Sequence, residues 1–254
     1  TLLLTDEQLK AKVSQVETRI TEAEQALAAL PEKRRDAFIR WLADRPKKPT
    51  VPGRIAHLDF ESHEDGPNRS VEGRVGKAVK LSGDDAIGLE VGNFHRYEPF
   101  SIVLWMKIPE HKERAVVFHR SRAWTDAGSR GYQLLIEEGK LSASLIHFWP
   151  GNAVRVRTNQ AVPVGKWINV AVTYDGSSRA DGLHIFVDGQ AMVLQVVRDN
   201  LYKNITGGGG NHLAIGARFR DRGFTGGMVD EFEVFDRQLT TIEGAQLYDG
   251  RSLA

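Results

Sequence analysis

The sequence predicts a mainly-β protein: a two-sheet antiparallel sandwich over residues 54–254, preceded by an α-helical hairpin over residues 1–44 and a Pro/Lys-rich linker, RPKKPTVPG, over residues 45–53. Two observations carry this reading. Up to residue 44 the apolar residues recur at alternating spacings of four and three, the period of one helix face. Beyond Gly53 the period falls to two, and turn residues return roughly every 8–12 positions, as in a domain of many short strands.

In the first region, Leu9, Val13, Val16, Ile20, Ala23, Leu27 and Leu30 form an a/d seam of three heptads. Thr5 with Gln8 reads as a capping box at its start, and Pro31 as its stop. A second helical stretch then places Phe38, Trp41 and Leu42 on one side. The seam either packs the hairpin on itself or the next domain, or meets another chain. Three heptads are marginal alone, so the expected partners are other domains of the parent protein or a second copy.

The strands follow in order: RIAHLDF, AVKLS, IGLEV, FSIVLWMKI, RAVVFHR, YQLLIEEG, KLSASLIHFW, VRVRT, WINVAVTYDG, GLHIFVDG, QAMVLQVV, HLAIGA and MVDEFEVF. Asp188-Gly189 is a tight-hairpin signal, because both central positions of the favoured turn need positive φ. LTTIEGAQLY reads as a short helix capped by Thr240 with Glu243.

Composition narrows the function classes. At 254 residues the chain can bury a sizeable core. A net charge of +1 gives no whole-molecule attraction to nucleic acid or an anionic membrane. With no cysteine there are no disulfides, thiolate ligands or cysteine nucleophile, and the Cys-x-x-Cys-His of haem attachment is absent. No apolar run approaches the roughly 18 residues of a membrane span. The start, Thr1-Leu2-Leu3-Leu4-Thr5, has no signal-peptide plan, so the chain is expected to be a piece of a longer protein.

Five stretches carry a resemblance over residues 54 to about 249. GRVGKAVKLSGDDAIGLE is similar to an early hairpin with Gly-x-x-Gly-Lys-Ala, and PFSIVLWMKIP to a Phe-Ser/Thr-x-x-x-Trp strand. GKWINVAVTYDG and LHIFVDG resemble a Trp-opened strand paired with one ending Val-Asp-Gly. HLAIGARF and FTGGMVDEFEVFDRQLTTIEGAQLY resemble a closing Gly-x-x-Asp-Glu strand and short helix. In this order they resemble the laminin-G-like (LamG-like), concanavalin A-like jelly roll. The resemblance implies a non-catalytic, lectin-like binding module for carbohydrate within a large multidomain bacterial protein that is periplasmic, cell-surface or secreted. A structural or protein-interaction domain docked through the heptads is the alternative, and a glycoside hydrolase a further one.

The acidic stretch MVDEFEVF bears on these alternatives. Strict alternation puts Val229, Glu231, Glu233 and Phe235 on one face, and Asp230, Phe232, Val234 and Asp236 on the other. If Phe232 and Val234 enter the core, Asp230 points inward with them and needs a partner. The resemblance implies a structural calcium site, with Asp59 and Glu61 from the first strand joining Asp230, and calcium accepts six to eight oxygens. A contact to an arginine, such as Arg54 or Arg237, or to the backbone is the plainer reading. For catalysis, the related family 16 glycoside hydrolases use Glu-x-Asp-x-(x)-Glu on one strand, and Met228 stands where the nucleophile belongs. Glu231 and Glu233, roughly 7 Å apart along a strand, suit an inverting pair only loosely and read more simply as solvated acids.

Two residue types point to ligand binding. Arg120 and Arg122 lie beside Trp124, Arg155 and Arg157 share a strand face, and Arg218, Arg220 and Arg222 alternate. Neighbouring strands would make of them a guanidinium patch for carboxylate or sulfate; ordinary surface pairs, with Asp126 and Asp221, are the other outcome. Trp124 and Trp149 stand at strand ends, where an indole offers a flat apolar face to a sugar, or else staples a loop. The resemblance makes Trp105 and Trp167 packing residues. TGGGGN lacks the Lys-Ser/Thr of a phosphate loop, no Gly-x-Ser-x-Gly occurs, and His57, His63 and His111 fall at no metal-ligand spacing.

Overall fold

A computed structural model describes residues 7–44, 50–125 and 127–250, with side chains for all of these except 41–44 and 127. Thr5, Asp126 and the side chains of Trp41 and Leu42 therefore lie outside the described residues. The chain divides into two compact units between Pro49 and Thr50.

The first unit corrects the expected hairpin. Helix α1 runs unbroken over Glu7–Asp44, with Pro31 inside it. A proline removes one N–H and crowds the preceding turn, but reversing the chain needs turn residues. ALAALPEKRRDAF has no Gly or Asn to supply a left-handed turn position, and around Pro31 it is rich in the good helix formers Ala, Leu, Glu, Lys and Arg.

The second unit holds fifteen strands: β1 Arg54–Leu58, β2 Arg69–Glu72, β3 Lys77–Lys80, β4 Ile87–Leu89, β5 Phe100–Lys107, β6 Arg114–Arg120, β7 Gly131–Glu137, β8 Lys140–Phe148, β9 Asn152–Thr158, β10 Trp167–Tyr174, β11 Leu183–Val187, β12 Gln190–Ala191, β13 Leu194–Asn200, β14 Leu213–Ile215 and β15 Met228–Phe235. One sheet has the order β12-β11-β10-β5-β15-β3-β2, with β1 also on β15; the other has the order β13-β9-β8-β7-β6-β14-β4. All of these strand pairings are antiparallel. The inner faces meet in one core that includes Ile102, Leu104, Met106, Phe118, Leu134, Ala143, Val154, Ile185, Phe232 and Val234.

Two departures from the sequence reading are local. The polar strand β2 has no hydrophobic alternation to announce it, and is formed by pairing with β3. QAMVLQVV is split: β12 pairs β11 in one sheet and β13 pairs β9 in the other, so the chain changes sheet near Met192. The expected hairpin turn is present, with Asp188 at φ 49° and Gly189 at φ 74°. Helix α2, Thr241–Asp249, carries the reciprocal Thr240–Glu243 capping box and ends at Gly250 in the left-handed region.

Asp230 corrects a third expectation. Val229 pairs with Met106, and Asp230 with Trp105, but the next pair is Glu233 with Val103. Glu231, at φ 47°, marks a bulge. Phe232 and Val234 therefore lie in the core while Asp230 shares the outer face with Trp105, as directly paired residues do. Asp230 is nonetheless fully buried, because the β2–β3 turn folds over it. Its Oδ2 accepts the N–H groups of Arg74 and Val75 at 2.8 and 2.9 Å, and its Oδ1 that of Glu231 at 2.8 Å. Gly73 opens this turn for a steric reason, since a Cβ there would stand 2.7 Å from Asp230 Oδ2.

Candidate functional site

The outer faces of the two sheets carry different chemistry. On the seven-stranded sheet, His119, Gln133, Ser144 and Arg155 stand in register across β6, β7, β8 and β9. Their neighbours along the strands, among them Leu134, Ala143 and Val154, enter the core, which leaves this polar row facing outward. Arg155 Nε donates to Ser144 Oγ at 2.8 Å and its Nη1 to Glu137 at 3.4 Å. Its Nη2 is buried with no hydrogen-bond partner.

Arg218 reaches the row from the turn after β14, donating to Gln133 Oε1 at 2.6 Å and Ser121 Oγ at 3.2 Å. Asp221 lies between two guanidiniums, accepting from Arg218 Nε at 3.1 Å and from Arg114 Nε at 2.6 Å. Arg114 also donates to Glu137 at 3.0 Å. Burial acts to raise the Asp221 carboxyl, but the hydrogen bonds from Arg114 and the charge of Arg218 hold it below the ordinary aspartate range. Burial brings Arg155 down to about 10, opposed by Glu137 and reinforced by the charges of Arg114, Arg218 and Arg157. It stays a cation at neutral pH.

Over these guanidiniums stand the two loop tryptophans. The Arg155 guanidinium carbon is 3.8 Å from the Trp149 ring centroid; those of Arg114, Arg218 and Arg155 are 4.6, 5.2 and 6.0 Å from that of Trp124. Trp124 and Trp149, with Thr125 and Ser129, line an open cavity of about 220 Å³. That is below the ~300–1,000 Å³ of most small-molecule pockets, and matches one residue of a chain better than a whole oligosaccharide.

His119 belongs to the same network. Its Nε2 is 2.9 Å from Ala217 O and its Nδ1 3.2 Å from Ser121 Oγ. Burial, then the charge of Arg218, push it down to about 4, so it is neutral at pH 7 and donates through Nε2 to the carbonyl.

Of the expected ligand residues, Trp124, Trp149, Arg155 and Arg218 come together. Arg157 stands beside them on the same strand face, 3.6 Å from Glu138. The others do not join. Arg120 is fully buried, donating to Ile205 O at 2.9 Å and to Asn93 Oδ1, where it ties two loops together. Arg122 is exposed. Arg220 lies in a turn at φ 59° over the exposed ring of Phe219, because residues 217–223 form a turn and not the alternating strand their spacing implied. Arg114, Gln133, Ser144 and His119 escaped sequence reading; only the register across four strands selects them.

The eight-stranded sheet's outer face carries Asp230, Glu231 and Glu233 and is partly covered, with an open cavity of about 250 Å³ beside Arg74, Trp105, Glu231, Glu233 and Tyr248. Asn169, Trp105 and Asp230 form one row. Tyr248 of α2 packs 5.6 Å from the Trp105 ring, and the Arg74 guanidinium lies 4.7 Å over it, so Trp105 packs outside the inter-sheet core. Glu231 bonds His57 Nε2 at 2.8 Å, and Glu233 bonds Arg54 Nη1 at 2.9 Å. The bulge and these partners bring ligand atoms of His57, Glu231 and Glu233 within 4.8 Å of one another, so the two acids are bonded to His57 and Arg54 and are not simply solvated. Among the described residues this is the group of three with metal-ligand spacing, and Asp59, Glu61 and Asp230 form none. Asp59 accepts from Glu61 N at 3.2 Å, and Glu61 from Lys77 N at 3.0 Å. Backbone N–H groups are directed at all three carboxylates, yet burial still raises the Asp230 carboxyl above the ordinary aspartate range, with the charge of Glu61 adding to it.

A family model described as the concanavalin A-like lectin/glucanases superfamily, Laminin_G_3, matches residues 81–243. The chain belongs to this superfamily. No curated protein matches. Among solved structures, domain 4 of AbnA, an extracellular arabinanase of Geobacillus stearothermophilus in complex with arabinotriose, is similar at 17% identity and a TM-score of 0.53, covering 77% of this chain and 98% of that one. The CBM40 of the Ruminococcus gnavus IT-sialidase, bound to α2,3-sialyllactose, is similar at 15% identity and a TM-score of 0.54, covering 67% and 96%. The binding domain of Paraclostridial Mosquitocidal Protein 1 matches at 14% identity and a TM-score of 0.54 over 72% of this chain, which spans 45% of that one. At these identities the likeness establishes the jelly-roll fold.

Proposed function

We propose that the sandwich is a non-catalytic carbohydrate-binding module that takes one sugar residue of a glycan between Trp124 and Trp149, favouring glycans that bear a carboxylate or sulfate. The observation that carries this is the pair of indoles lining a cavity of about 220 Å³ above buried guanidiniums. An indole face packs on the C–H side of a pyranose while its edge stays polar. Arg114, Arg155 and Arg218 outnumber the acids that face them, Asp221 and Glu137, so the floor is positive. The bound arabinotriose and sialyllactose named for two proteins of the same fold support a saccharide ligand. Glu231 and Glu233, already bonded to His57 and Arg54, and Met228 at the nucleophile position support binding without hydrolysis. By the same resemblance the module works outside the cytoplasm within a larger exported protein.

The test is a glycan array and calorimetric titration with neutral and acidic polysaccharides. Binding is expected to fall about tenfold to a hundredfold on Trp149→Ala with the fold intact, and to persist in Glu231→Gln. A protein that binds no glycan on either array, or binds equally after Trp124→Ala and Trp149→Ala, refutes the reading.

A further inference from the structure

The continuous helix α1 carries a long apolar stripe facing water: Val13, Val16, Ile20, Leu27 and Leu30 are each 43–67% exposed. Most helices in proteins draw their stability from packing such a face. The 4-3 spacing assigns Val13, Ile20 and Leu27 to heptad position a, and Leu9, Val16, Ala23 and Leu30 to position d. We infer that α1 pairs with the α1 of a second copy of this chain as a parallel, in-register, two-stranded coiled coil over residues 9–30. The inference is independent of the proposed sugar site.

The flanking charges identify both occupant and direction. Positions g hold Lys12 and Arg19, and positions e hold Glu17 and Glu24. In a parallel, in-register pair each g residue faces the e residue five positions on in the other helix. That sets Lys12 against Glu17 and Arg19 against Glu24, each twice by symmetry. An antiparallel pair would set g against g and e against e, where Lys12 and Arg19 meet no acid and only Lys10, also at e, could oppose Glu17 or Glu24. A partner of unrelated sequence has no reason to carry this complement, whereas a second copy carries it in full. At a, Val13 and Ile20 are β-branched and, at d, Leu9 and Leu30 are leucines, the two-strand preference, with Leu27 at a and Val16 at d the exceptions. Beyond Leu30 the seam stops, because the next a position is Arg34. By chain connectivity a parallel pair has both sandwiches following the same end of the coil, so two weak sugar sites would act together on one polymer.

Sedimentation of the full chain tests this, with twice the 28.3 kDa chain mass expected. The chain has no cysteine, so Val13→Cys gives a clean readout of direction: oxidation should cross-link the dimer through the a–a contact. Ile20→Asp should give a monomer whose sandwich melts as before. Lys12→Glu with Arg19→Glu should weaken dimerisation about tenfold or more, and adding Glu17→Lys with Glu24→Lys should restore it. A monomer at sub-millimolar concentration overturns the inference. So do a trimeric mass, a dimer in which Val13→Cys fails to cross-link, and a charge reversal that its complement does not rescue.

Discussion

The two outer faces of the sandwich use the same residue types to opposite ends. On the eight-stranded sheet, Trp105 lies between Tyr248 and the Arg74 guanidinium, and the acids beside it are held by His57, Arg54 and backbone N–H groups. On the seven-stranded sheet, Trp124 and Trp149 also rest on guanidiniums, but a cavity opens between them. The difference is what covers each face. Helix α2 and the β2–β3 turn bury the Trp105 ring and leave a cavity of about 250 Å³ beside it, lined with Glu231 and Glu233, whereas two loops frame the second and leave both of its indoles partly exposed. A tryptophan beside charged residues is therefore not in itself a binding signal; the arrangement of the covering segments decides.

The comparison breaks most visibly at Asp230. Replacing it with alanine strands two turn N–H groups and that of Glu231 at a buried position, costing about 3 kcal/mol and lowering the melting temperature by about 6–12 °C for a domain of this size. Scanning calorimetry of Asp230→Ala checks this, and sugar binding at 25 °C should survive. The same calorimetry of the parent protein in millimolar calcium and in chelator should show no shift. A calcium-dependent rise would restore the metal reading of Asp59, Glu61 and Asp230.

The arginine face is sharpened by pH. His119 has a folded pKa of about 4 against about 6.5 unfolded. Between those values the unfolded chain binds more protons, so stability is complete above pH 6.5 and falls as pH drops toward 4, by at most about 3 kcal/mol. Urea unfolding at pH 7 and pH 4.5 in the parent and in His119→Gln measures it, and the variant should lose less stability between the two. A smaller effect is expected from Arg155→Lys. The shorter, compact cation leaves the Trp149 stack and should weaken acidic-glycan binding about fivefold to tenfold while sparing neutral glycans. Smallest of all, Glu231→Gln should leave binding unchanged and shift the melting temperature by no more than about 2 °C, because its His57 partner is partly exposed.

The strand order, the capped terminal helix and the Asp188-Gly189 turn were legible because each depends on residues adjacent in the chain. Trp124, Trp149 and the arginines each stood out as residue types, but which arginines meet which ring did not: Arg120 and Arg122 neighbour Trp124 in sequence, while Arg114, Arg155 and Arg218 reach the rings in space. The helical hairpin was misread because Pro31 was taken as a stop, although nothing around it turns the chain. The inward Asp230 was misread because a bulge breaks the period of two, and a bulge depends on the partner strands. Arg120 and Arg155 show the same divide. Each is an arginine in a β-strand, yet one ties loops together inside the fold and the other floors the cavity.

Local periodicity and turn chemistry act over a few residues, so the sequence by itself determined the sandwich, the heptad seam and its charges. Which face of a strand meets solvent, and which segment folds over it, depends on groups far apart in the chain, such as the Arg54–Glu233 pair 179 residues apart. Only the tertiary structure decided that the acids were compensated and the tryptophans left open, because burial and charge pairing are properties of the neighbours in space.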